Sequence, residues 1–231
     1  MKVRIKFAKT GAMKFIGHLD VMRYFQKAIR RAGLDAAYSE GYSPHMIMSF
    51  AAPLGVGLTS QGEYFDLVLN SATTSEDMIQ RLNGAMAEGI QVLSLVQVED
   101  GKASKAMSLV AAADYFVTFR EGKEPCADWE SRIADYYAQE RIPIVKKTKR
   151  SEMEVDIKPM IQEMRIYNHG VFLRLATGSA NNLKPELVME GFGTFVGQSL
   201  EPFAVQTERL ETYAEQEGSL IPLADLGEII G

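Results

Sequence analysis

The sequence predicts an α+β fold built from two tandem ferredoxin-like (βαββαβ) units, the second elaborated. Three observations carry this. The chain opens on strict period-two alternation, passes into three- and four-residue apolar spacing, and returns twice to strand-like runs before a second helical stretch. A polar, small-residue segment at 99–108 (EDGKASKAMS) then marks a boundary. Beyond it strands and helices alternate in a similar order, so the sequence divides into domains 1–100 and 101–231.

In the first domain Val3, Ile5 and Phe7 fall on one face of a strand over 2–9, and Lys2, Arg4 and Lys6 on the other. A helix follows, with Leu19, Met22, Phe25, Ile29 and Ala32 on its buried side, Arg23, Lys27 and Arg30 on another face, and Gly33 as its stop. Two loops rich in Gly, Ser and Pro flank a short strand over 46–51 and lead into a strand over 63–69, where Tyr64 and Asp66 share a face. A helix over 75–88, with Ser75 as its cap, and a strand over 90–98 complete the unit. Both helices then cover one sheet face, leaving Lys2, Arg4 and Lys6 on an open one.

The second domain reads as a strand over 112–120, a helix over 126–140 and a basic stretch over 142–150 at a strand end or hairpin. Residues 164–167 and 171–175 face each other across Asn168-His169-Gly170, a hairpin signal. A helix over 184–190, with Pro185 in its first turn, and a strand over 204–210 follow.

With 231 residues, 46% hydrophobic and 24% charged, the chain buries a sizeable core. Its single cysteine excludes an internal disulfide and fits a reducing cytoplasm, and no apolar run reaches membrane-spanning length, so a cytoplasmic protein is expected. The net charge of −5 argues against a nonspecific nucleic-acid binder, but the charge is segregated. Residues 1–61 carry +6 and residues 141–150 carry +5, which leaves −16 for the remainder.

This points to a cationic surface for phosphates made of Lys2, Arg4, Lys6, Arg23, Lys27, Arg30 and the run Lys146, Lys147, Lys149 and Arg150. Tyr42 and Tyr64 are available to stack on bases, with His45 beside them. The bland reading is that such charges simply solvate and stabilise helices. His18, Asp20, His45 and Asp66 form a candidate metal or acid–base set, with His18 or His45 as the base of a metal-independent ribonuclease. Against it, i and i+2 on a helix do not share a face, so His18 and Asp20 converge only if His18 precedes the helix. Gly191-Phe192-Gly193 and Gly197 give a loose likeness to the glycine-rich loop of CRISPR-repeat-processing endoribonucleases.

The runs FIGHLDVMRYFQKAIRRAGL, YSEGYSPH and SFAAPLGVGLTSQGEYFDL resemble the uncharacterised bacterial radical-SAM-associated protein family. Its members stand alone or form the C-terminal part of B12-binding radical-SAM proteins. The resemblance implies association with radical-SAM chemistry. The chain has no CxxxCxxC motif, so no cluster or other cofactor is expected on it, and radical chemistry belongs to a separate polypeptide. Two function classes follow: a noncatalytic RNA-binding or substrate-presenting accessory protein, or a partner that docks on a radical-SAM enzyme without touching RNA.

Overall fold

The opening alternation folds as β1 (Lys2–Lys9), in a computed structural model that describes residues 1–101, 103–147 and 152–231. The chain continues through α1 (His18–Arg31), β2 (Met48–Phe50), β3 (Thr59–Val68), α2 (Ser75–Gly84), β4 (Ile90–Val98) and the short α3 (Ala106–Leu109). Next come β5 (Val110–Phe119), α4 (Trp129–Ala138), β6 (Pro143–Lys147), β7 (Glu152–Asp156), β8 (Ile161–Tyr167) and β9 (Gly170–Ala176). The helix α5 (Pro185–Phe195) and strands β10 (Val205–Gln216) and β11 (Ser219–Pro222) complete the order. The fold is mixed α+β, with a large mixed sheet and five α-helices among the described residues.

Two compact units emerge, Met1–Ala112 with Arg209–Gly231, and Ala113–Glu208. The sequence places everything after residue 100 in the second domain, whereas the C-terminal segment clusters with the first. Residues 99–108 are also not a free linker. Ala106 is buried, and its amide donates to the Asp66 carboxylate at 2.8 Å. Small polar residues read as a linker because the partner that fixes them lies forty positions upstream.

In the first unit β1 pairs antiparallel with both β3 and β4, and β2 pairs antiparallel with the end of β3, so the strands lie in the order β4-β1-β3-β2. Beyond β2's short span, the neighbour of β3 is β10. The core gathers Phe7, Phe25, Phe50 and Phe65, whose ring centroids are 4.6 Å apart for Phe7–Phe25 and 4.7 Å for Phe25–Phe65. Edge and tilted contacts of this kind add about 0.5–1.5 kcal/mol per pair beyond area burial. The buried face of α1 is Val21, Phe25, Ala28 and Ile29. Leu19, expected on that face, lies in the first turn and is exposed. The cap of α2 is Thr74, whose hydroxyl accepts from the Asp77 amide; Ser75 follows it and receives the Ile230 amide instead.

In the second unit β8 and β9 form the expected hairpin, with Met164 opposite Leu173 and Arg165 opposite Phe172. Asn168 and His169 adopt the left-handed conformation that such a tight turn needs. The strand order through this unit is β10-β5-β9-β8, and β6 and β7 make a separate two-stranded sheet. Gly191 and Gly193 do not form a loop. They lie inside α5, where Gly191 sits against the Tyr136 hydroxyl and Gly193 against the Gln198 carbonyl.

Candidate nucleic-acid interface and the buried ionic clusters

The cations of the first strand and of the first helix meet opposite surroundings. Arg4 is 1% exposed and forms a bidentate pair with Asp66, Nε to Oδ1 at 2.8 Å. Its remaining N–H groups donate to the carbonyls of Ser104 (2.8 Å) and Leu223 (3.2 Å). Lys2 is buried and donates to the Ser104 hydroxyl at 2.6 Å. Lys6 pairs with Glu211, which also accepts from the Tyr64 hydroxyl at 2.7 Å. The sheet face expected to be open is thus covered by residues 103–109 and by the segment after Arg209, with Ala106, Val110, Ala214 and Leu223 supplying the apolar part. Lys2 and Arg4 are consumed as internal partners, and Tyr64, at 2% exposure, presents no ring to a base. Burial and the Glu211 carboxylate push its hydroxyl far above the ordinary tyrosine range.

The residues of the candidate metal set each have other partners. Asp66 is held by Arg4 and the Ala106 amide, Asp20 is exposed and pairs with Arg23 at 3.3 Å, and His45 is exposed and shares a 2.8 Å hydrogen bond with the Ser39 hydroxyl. His18 sets its ring edge-on to Phe50, centroids 5.0 Å apart. Among the described residues no group of three or more His, Cys, Asp or Glu is disposed to hold a metal ion.

Near His18 lies a cluster that sequence reasoning missed. Arg209 is buried and donates to Glu63 at 2.8 Å and to the Ala52 carbonyl at 2.6 Å. Lys9, also buried, has its ammonium 3.5 Å from the Ile16 carbonyl, just before α1 begins. Burial lowers the Lys9 pKa, with Glu63 opposing and Arg209 adding to the shift. Burial likewise lowers that of His18, again opposed by Glu63. The signal was available only in part: Lys9 ends the alternating run of β1, but its partners are distant in sequence.

Of the first unit's predicted cationic and aromatic residues, those on α1 and in the loop after it remain open to a ligand. Arg23, Lys27, Arg30 and Arg31 are all exposed along the helix. Tyr42 is fully exposed, and Tyr38 receives a hydrogen bond from Arg30 Nε at 3.2 Å, tying loop to helix. At the other end of α1, Phe15, Leu19 and Val56 are exposed. Lys14 caps Phe15 at 5.2 Å from its ring centroid, and its carbonyl accepts from the Gly57 amide at 2.7 Å. Lys146 and Lys147 lie at the end of β6, opposite Met153 and Glu152, while Lys149 and Arg150 lie outside the described residues. No helix among the described residues is long and apolar enough to cross a membrane.

Among solved structures, the chain is similar to one from the crystal structure of a Cbf5-Nop10-Gar1 complex, with 10% identity and a TM-score of 0.47. The match covers 93% of this chain and 50% of that one, so the chain spans about half the length of that structure's chain. No curated protein matches it. Residues 2–185 match the model of a family described as an uncharacterized protein conserved in bacteria (DUF2344), and the chain belongs to that family.

Proposed function

We propose that this protein is a noncatalytic RNA-binding or substrate-presenting accessory module that works with a separate radical-SAM enzyme. The observation that carries the RNA part is the cationic face of α1, with Arg23, Lys27, Arg30 and Arg31 exposed and with Tyr38, Tyr42 and His45 in the loop beside it. Exposed cations at helical spacing suit successive phosphates, and an exposed tyrosine suits an unpaired base. The radical-SAM part rests on the resemblance of the 15–69 motifs. The finer fold reading is that both units are ferredoxin-like, supported by the orders β4-β1-β3-β2 and β10-β5-β9-β8, which, with the separate β6–β7 pair set aside, are each the fourth, first, third and second strand of the unit.

A second reading, docking on a protein partner, is favoured by the exposed apolar group Phe15, Leu19 and Val56 beside Lys14 and Arg23. Salt separates the two. RNA affinity carried by about four phosphate contacts falls roughly 50- to 200-fold between 50 and 200 mM salt, whereas a packed apolar interface loses far less. Reversing Arg23, Lys27 and Arg30 together to Glu is expected to abolish this salt-dependent binding, with circular dichroism unchanged. Wild-type affinity in that variant removes α1 from the RNA reading.

A further inference from the structure

The second unit presents a sheet face built from planar groups. On β8 the outward residues are Glu163, Arg165 and Tyr167, and on β9 they are Gly170, Phe172 and Arg174, paired as Arg165–Phe172, Tyr167–Gly170 and Glu163–Arg174. On β5 Ala113, Tyr115 and Val117 enter the core, which turns Asp114 and Phe116 to the same outward face. Phe116 meets Tyr167 edge-on at 6.0 Å between centroids. The Arg165 guanidinium lies 4.4 Å from the Phe172 centroid and 5.3 Å from that of Tyr167. Arg174 lies 5.9 Å from the Phe172 centroid.

Gly170 is what allows this arrangement. A Cβ there would stand 2.6 Å from the Phe116 ring, so only glycine lets that ring lie across the neighbouring strand. The two guanidinia are held by carboxylates, Arg165 by Glu163 at 2.7 Å and Arg174 by Asp114 at 2.7 and 2.8 Å, which fixes their planes over the rings. Phe172 is only 7% exposed beneath them, whereas Tyr167 is 46% exposed at the end of β8.

Aromatic and guanidinium planes on adjacent strands of a sheet are what unpaired bases stack on, and the guanidinium N–H edges are complementary to the flanking phosphates. We propose that this face, through Tyr167, Phe116 and Arg165, is a stacking platform for the unpaired bases of single-stranded RNA. The inference rests on the RNA reading above and deepens it. It assigns the second unit the bases of a single strand, while α1 meets phosphates.

The test uses the full chain and a fluorescein-labelled, unstructured 12-nucleotide RNA, alone and annealed to its complement, at one fixed salt concentration. Tyr167→Leu keeps an apolar strand residue but removes the ring, and is expected to weaken single-strand binding about 10-fold, in the range of one lost base–aromatic stack. Tyr167→Phe is expected to restore it, and Arg165→Gln to weaken it similarly. Duplex binding is expected to be unchanged in all three. Equal affinity for single strand and duplex, or wild-type single-strand binding by Tyr167→Leu and Arg165→Gln, overturns the platform. In that case loss of binding in the α1 reversal still leaves the RNA reading standing. A wild-type chain that binds neither RNA overturns both.

Discussion

Arg4 and Arg23 carry the same charge and occupy similar patterns, yet one is an internal strut and the other a surface group. Arg4 has a carboxylate and two carbonyls within hydrogen-bond reach, from positions 66, 104 and 223. None of these is a local neighbour, so the alternation of β1 identified the face of Arg4 and could not show that the face is covered. His18 carries the residue-scale prediction. Its neutral form is favoured by burial, so its folded pKa lies below the unfolded 6.5. The unfolded chain therefore binds the proton first as pH falls. Stability is expected to decline as pH drops through the window just below 6.5 and to level once the folded histidine is also protonated. Urea melts of wild type and His18→Gln across that window check this. Equal slopes for the two proteins would exclude His18 as the source.

At the scale of elements, periodicity did well where burial is local. The span of α1, the β8–β9 hairpin and the strand character of β1, β3 and β4 follow from apolar spacing and turn chemistry. It did less well where packing sets the details. The face of α1 is turned so that Leu19 is left outside, and α5 runs on through two glycines because Tyr136 and Gln198 pack where side chains would otherwise stand. Gly170 is the sharpest case, since a glycine beside a turn reads as part of the turn. Its strand role is expected to show as a loss of about 1–3 kcal/mol in Gly170→Ala, the cost of an overpacked site. Denaturant unfolding measures that loss, and trimming Phe116 to Ala in the same chain is expected to recover part of it. No recovery would mean that the clash is not with that ring.

For the molecule as a whole, the mixed α+β class was legible, but the return of the C-terminal segment to the first unit was not. A polar segment suggested a boundary near 99–108, whereas Arg209–Gly231 returns to the first unit through contacts that no local pattern announces. Leu223 is fully buried and its carbonyl receives Arg4, Glu228 and Gln97 exchange backbone hydrogen bonds at 2.7 and 2.9 Å, and the Ser75 amide donates to the Ile230 carbonyl while the Ile230 amide donates to the Ser75 hydroxyl, both at 2.9 Å. Deleting 219–231 is therefore expected to destabilise the first unit by about 3–6 kcal/mol, from one buried leucine and one charged hydrogen bond. Hydrogen exchange on β1 and β4 checks it, and unchanged protection there would mean that the segment is dispensable.

That returning segment also imposes a timetable on synthesis. The second unit, residues 113–208, is an insertion made before Arg209, so β5, β8 and β9 are in hand while β3 still lacks its neighbour β10. The first unit must wait, with Arg4 and Asp66 covered only from the side of Ser104 and Ala106, until Leu223 and the residues around it have left the ribosome. Pairings of such long sequence separation form slowly. A chain stalled between the two stages exposes a half-covered, charged sheet, the kind of intermediate that chaperones hold.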